Sequence, residues 1–214
     1  MWRLAVCAIA LAVQACAVAP APERLSDAPE ARPERRVNAT THPASYAQAL
    51  QAWRSPEQVN AWIGDRFDYD LQRAVRLSES QRQASGSLPI HDPQAFYDAP
   101  RGICVDLARF GVETLQRVAP DVRAQYLMIE FDPVQIRGQM LRRHWVATFE
   151  RDGQHWFFAD SKRPGHIAGP YPGTQAYIAD YAAYRGRAIV AWRELPSYQR
   201  TMKVRTTKQP KDGS

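Results

Sequence analysis

The sequence predicts one α+β domain, with helices gathered in its first half and an antiparallel sheet in its second. Between Ala44 and Arg200 the apolar residues recur at helical spacing up to about Val118, then give way to short stranded runs, with no internal repeat. The composition, 45% hydrophobic and 23% charged over 214 residues, suits a chain that buries one sizeable core, and excludes collagen-like and disordered classes. The net charge of +6 comes from 28 basic residues dispersed among 22 acidic ones, so no basic stripe forms and no nucleic-acid partner is expected.

The chain opens on an address. Arg3 precedes an apolar run from Leu4 to Val13, which at ten residues is too short to span a bilayer and reads as an export signal over residues 1–15. Cleavage after Ala19 would set Pro20 beside the cut, whereas cleavage before Cys16 meets no such obstacle. Val13-Gln14-Ala15-Cys16 resembles the bacterial lipoprotein signal, with Gln14 a less usual occupant. That resemblance implies acylation of Cys16 and a periplasmic protein held on a bacterial membrane, the outer membrane being the expected one; a plain secreted protein is the alternative. Residues 16–43 carry Pro20, Pro22, Pro29, Pro33 and Pro43 among Ala, Glu and Arg and read as an extended tether. The domain is set at 44–200, and the polar, basic stretch 201–214 reads as a frayed tail.

Within the domain, Ser55-Pro56-Glu57 starts a helix, Ser as cap, Pro in the first helical position and Glu in the first turn; Val59, Trp62, Ile63 and Arg66 follow on one face. Residues 78–92 carry few apolar side chains and read as loop, and Asp92-Pro93 opens a short helical turn that Pro100 and Gly102 interrupt. From Ile103 to Val118, Ile103, Leu107, Phe110, Leu115 and Val118 line one side of an amphipathic helix, with Asp106, Arg109, Glu113 and Arg117 on another. Ala124 to Phe131 reads as a buried strand; His144 to Glu150 and His155 to Asp160 read as two more, joined across Arg151-Asp152-Gly153. A helix over 175–184 and a strand over 188–192 close the domain.

Three cysteines are too few for a disulfide framework. Cys7 leaves with the signal and Cys16 takes lipid, so Cys104 stays as a lone thiol, either a buried structural residue or a nucleophile. Its place in the first turn of a helix favours the second reading, since the unpaired N–H groups and the dipole there stabilise a thiolate. Gly102 would let a substrate carbonyl approach, and the Cys104 N–H would donate to the developing oxyanion. The base is sought among five histidines: His42 lies in the tether, His91 and His166 in loops, and His144 and His155 on strands, of which His144 heads the better core pattern. Asp160 ends the partner strand beside Phe157, Phe158 and Ala159, where it would orient His144. A three-residue hairpin loop closed by Gly153 would set His144 opposite Asp160; a two-residue loop would pair His144 with Ser161 and turn Asp160 to the other face. A zinc site on Cys104 and histidines is disfavoured, because His144, His155 and His166 stand eleven residues apart.

Arg101-Gly102-Ile103-Cys104-Val105-Asp106-Leu107-Ala108 resembles the nucleophile motif of bacterial transglutaminase-like cysteine peptidases; His144-Trp145 and Trp156-Phe157-Phe158-Ala159-Asp160 resemble its later blocks, and Trp62-Ile63 to Phe67-Asp68-Tyr69-Asp70 its leading helix. The resemblance covers about Ala52 to Trp192 and implies a papain-like core in which the nucleophile helix packs on an antiparallel sheet, with a Cys104, His144, Asp160 triad and a thioester intermediate. Arylamine acetyltransferases share the triad but are longer chains with a further domain. The implied partner is a protein or peptide of the cell envelope, and a catalytically silent binding module on the same scaffold is the alternative. Tyr97 and Gln94, ahead of the cysteine, are the candidates for a further oxyanion donor. No cofactor is expected; some relatives bind calcium, and Asp65, Asp68 and Asp70 form an acidic cluster that reads first as surface carboxylates and otherwise as a calcium site.

Overall fold

The computed structural model describes residues 41–80, 88–136 and 139–199. Helix α1 (Tyr46–Ala52) follows Ser45, whose hydroxyl accepts the Gln48 N–H, and α2 (Pro56–Arg66) begins on Pro56. Strand β1 (Asp68–Tyr69), α3 (Leu71–Ser80), α4 (Pro93–Asp98) and β2 (Arg101–Gly102) lead to α5 (Cys104–Val118). After a 3₁₀ turn come β3 (Gln125–Ile136), β4 (Gln139–Arg151), β5 (Gln154–Phe158), β6 (Ala168–Tyr171), α6 (Thr174–Arg185) and β7 (Ile189–Leu195). The chain is thus a mixed α and β fold, and among the described residues it has six α-helices and a five-stranded antiparallel sheet of order β6-β5-β4-β3-β7. A short parallel pair, β1 with β2, holds the approach to α5.

Alternation along the strands separates two apolar layers. Tyr126, Ala147, Phe149 and Phe158 face α5, where they pack with Leu107, Phe110, Trp62 and Tyr97. Leu127, Ile129, Phe131, Val146 and Phe157 face the other way, against Tyr177, Ile178 and Tyr181 of α6. Helix α5 lies close on the sheet because Gly111 has no side chain: a Cβ there would stand 2.9 Å from that of Ala159 and 3.4 Å from that of Ala147.

The hairpin between β4 and β5 departs from the expected register. Arg151 pairs with Gln154 and Ala147 with Phe158, so the loop is the two-residue Asp152-Gly153 form. Both loop residues have positive φ, 54° and 70°, the type I′ geometry whose twist matches that of the flanking strands and which Asp-Gly favours. Two sequence expectations fail at the edges of the domain. His42 and Pro43, assigned to the tether, are docked: His42 Nε2 lies 2.8 Å from Asp65 Oδ2, and the Pro43 carbonyl accepts the Tyr97 hydroxyl at 2.5 Å. The expected loop from 78 onward is helical as far as Ser80. The signal, Cys16 and the basic tail lie outside the described residues.

Candidate active site

Cys104 is the first residue of α5, preceded by Ile103 in extended conformation, and its side chain is buried. The positive end of the α5 helix dipole lies at this position. The helix start is tied down by Asp106, which is fully buried and accepts four hydrogen bonds. Arg73 grips both its oxygens, Nε to Oδ2 at 2.7 Å and Nη2 to Oδ1 at 2.8 Å, while the Ile103 and His91 N–H groups donate at 3.0 and 2.9 Å. The same Arg73 Nη2 donates to the Pro89 carbonyl, so one ion pair fastens α3 and the 88–91 segment to the start of α5. The space beside Gly102 belongs to this arrangement rather than to a substrate. A Cβ there would meet Asp106 Cβ at 2.9 Å and Phe96 at 3.0 Å, which corrects the role expected for this glycine.

His144 lies on β4 opposite Ile129, fully buried on the α6 side of the sheet, with its ring stacked on Tyr181 at 5.8 Å and 17°. Its Nε2 is 2.8 Å from Asp160 Oδ1. The observed register alone would put Asp160 on the opposite face, yet the two meet. Strand β5 stops at Phe158, and Ala159 takes a left-handed φ of 53°, which breaks the alternation and swings Asp160 back to the His144 side. Asp160 Oδ1 also accepts the Lys162 N–H at 2.9 Å and the Tyr181 hydroxyl at 3.1 Å, and Arg163 Nε lies 3.6 Å from Oδ2. Burial pushes the Asp160 carboxyl up, but the His144 hydrogen bond and charge, the Lys162 N–H and the charge of Arg185 outweigh it and bring it down to about 2.

Because the folded carboxyl titrates below its unfolded value, its contribution to stability is complete above about pH 4 and disappears as the pH falls through about 2. That contribution is on the order of 2 kcal/mol. Acid titration of unfolding free energy in the wild type and Asp160→Asn is expected to show this loss between pH 4 and 2 only in the wild type; parallel curves would contradict the ion pair.

Cys104 starts α5, which packs on one face of the sheet, and His144 lies on β4 with its ring toward α6 on the other. Trp145, the neighbour of His144 on β4, packs against the cluster of Leu77, Ile103 and Val105, whose last two members flank Cys104 in sequence, and β4 pairs with β5 only from Ala147 to Arg151, so β5 does not flank β4 at residue 144. The two oxyanion candidates have partners elsewhere. Tyr97 is buried, stacks on Trp62 at 4.6 Å and gives its hydroxyl to Pro43, and the Gln94 amide donates to both oxygens of Asp98 on its own helix. His155 pairs across the sheet with Glu150 on β4 and Tyr171 on β6.

No family model matches the chain, and no curated protein does. Among solved structures it is similar to calcium-bound LapG of Legionella pneumophila, at 17% sequence identity and a TM-score of 0.35, over 64% of this chain. The chain spans 62% of the length of that protein.

The three carboxylates named for calcium do not gather into an oxygen cage. Asp65 binds His42, and Asp70 accepts the Arg73 N–H at the start of α3 and faces Arg101 at 3.6 Å. Among the described residues no group of three or more His, Cys, Asp or Glu side chains is placed to hold a metal ion. The site also holds residues that the sequence reading passed over: Arg73, Tyr181 and Arg185, with Asp106 assigned to a polar face. Asp three residues after a helix cap was the available signal for Asp106. A Tyr at i with an Arg at i+4 was the one for α6.

Proposed function

We propose that the chain is an exported cysteine hydrolase or acyltransferase of the transglutaminase-like kind, held on a bacterial membrane by lipid on Cys16 and acting on amide bonds of envelope proteins or peptides. The observation that carries this reading is the buried His144–Asp160 pair, with Cys104 as the first residue of α5. A carboxylate and an imidazole sequestered together have little to offer the fold that apolar side chains would not, whereas they orient a base.

The reaction follows from the atoms. In this reading Nδ1 of His144 serves the reaction, since Nε2 is held by Asp160. The Cys104 thiolate attacks the amide carbonyl, and the negative charge that develops on oxygen is met by the Cys104 N–H at the helix start. His144 gives its Nδ1 proton to the leaving amine, the C–N bond breaks and a thioester on Cys104 remains. Water or a second amine, losing its proton to His144, then attacks the thioester and releases the thiol. Asp160 holds the tautomer and stabilises the imidazolium throughout.

Incubation of the full chain with a cell-envelope extract, acid quenching and mass analysis test the reading. The expected product is a hydroxylamine-sensitive adduct on the Cys104 peptide, missing from His144→Ala, with an amino terminus that begins at acylated Cys16. An intact, folded protein that forms no adduct, or forms it on another residue, would contradict the reading.

A further inference from the structure

Helix α6 supplies two groups to the His144–Asp160 pair that the proposed reaction does not use. The Tyr181 hydroxyl donates to Asp160 Oδ1 at 3.1 Å, the same oxygen that faces His144 Nε2. One turn further along, Arg185 Nη1 donates to the Tyr181 hydroxyl oxygen at 3.0 Å. All four side chains are buried, and the Tyr181 ring lies nearly parallel to the imidazole, 5.8 Å away.

We propose that Arg185 and Tyr181 form a donor relay that positions Asp160 and moderates its pull on the His144 imidazole. The inference rests on the catalytic reading of that pair. A hydroxyl that accepts from a guanidinium is polarised into a stronger donor, so the cation of Arg185 is felt at Asp160 through one intervening hydrogen bond. The hydroxyl remains protonated, and thus a donor, because burial and the Asp160 charge hold the Tyr181 phenol well above its ordinary value. Each donor on Oδ1 takes up part of the carboxylate's negative charge, which leaves less for the imidazolium. Tyr181 is therefore a positioning residue, as is Arg185. Its ring fixes the plane of the imidazole and its hydroxyl sets the strength of the Asp160 acceptor.

Around this pair stand Arg163 and His166 from the loop after β5, and Tyr177, Tyr181 and Arg185 from α6, all within electrostatic reach of Asp160. On the β3 side the residue opposite His144 is the apolar Ile129, which adds no charge there.

The test uses the full chain and the pH dependence of Cys104 alkylation by iodoacetamide, which needs no substrate. A thiolate stabilised by imidazolium gives reactivity at acid pH and a second transition when the imidazolium loses its proton. His144→Ala abolishes the reactivity at acid pH if the catalytic reading holds. Tyr181→Phe keeps the ring and removes the hydroxyl, and it is expected to move the upper midpoint upward by about half a pH unit, because Asp160 regains charge to share with the imidazolium. Arg185→Lys shifts it in the same direction by less, and carries the test alone if Tyr181→Phe does not fold. The double variant shifts no further than Tyr181→Phe, since the relay runs through the hydroxyl. Folded variants with a lowered melting temperature but an unmoved or lowered midpoint would reduce these residues to packing and overturn the relay while leaving the reading in place. An unchanged profile in His144→Ala would overturn the reading and the relay together.

Discussion

Cys104→Ala is expected to lower turnover by about 10⁵- to 10⁶-fold, the scale on which removal of a triad nucleophile acts, while leaving the folded protein intact. Alanine is the best helix former, so the first turn of α5 is kept, and the deletion removes one sulfur from a position with no disulfide. The change in stability should stay within about 1 kcal/mol. Parallel measurement of adduct formation and thermal unfolding separates the two possible roles of the thiol. A folded, inactive variant places Cys104 in the chemistry. An unfolded variant would make it a packing residue, and an active one would remove it from the mechanism.

Arg73→Ala is expected to destabilise the fold by about 3–5 kcal/mol, because it strands a carboxylate that has no exposure to water. Asp106 would keep the Ile103 and His91 N–H groups but lose both bonds from the guanidinium. The Pro89 carbonyl would lose its donor as well. Arg73→Lys should recover only part of the loss, since a single ammonium does not match the two-pronged grip on Oδ1 and Oδ2. Urea midpoints for the two variants decide the matter; a loss below about 1 kcal/mol in Arg73→Ala would mean that water reaches the pair. Where the variant still folds, the start of α5 is freed from α3, and Cys104 should lose reactivity without any change at His144.

The fold was legible where side-chain periodicity follows burial. Helix α5 and the strand order from β3 to β5 can be read directly from Leu107, Phe110, Val146 and Phe157, because each element buries one face or two against a continuous core. The turn was misread: glycine at a third loop position suggested the longer hairpin, whereas Asp152-Gly153 alone satisfies the type I′ geometry. Asp160 nevertheless reaches His144, through a left-handed Ala159 that no propensity announces, since alanine rarely adopts that conformation. Of the candidate site, the paired His144 and Asp160 and the helix-start cysteine could be found by residue type and order. Tyr97 and Gln94 could not be judged that way, because the partners that claim them, Pro43 and Asp98, are set by packing and by a helix too short to show periodicity. Arg73 and Asp106, 33 residues apart, were hidden for a related reason: each reads as a surface charge until the chain brings them together.

Activation of the Cys104 thiol is the central claim, and its alkylation rate at pH 6 measures that most directly. An unperturbed thiol, titrating near 8.5, is less than about 1% thiolate at that pH. A thiolate stabilised by the α5 start and by His144 should react with iodoacetamide at least about tenfold faster than free cysteine, and the advantage should vanish in His144→Ala. A wild-type rate at or below that of free cysteine, or one that His144→Ala leaves unchanged, would contradict the account.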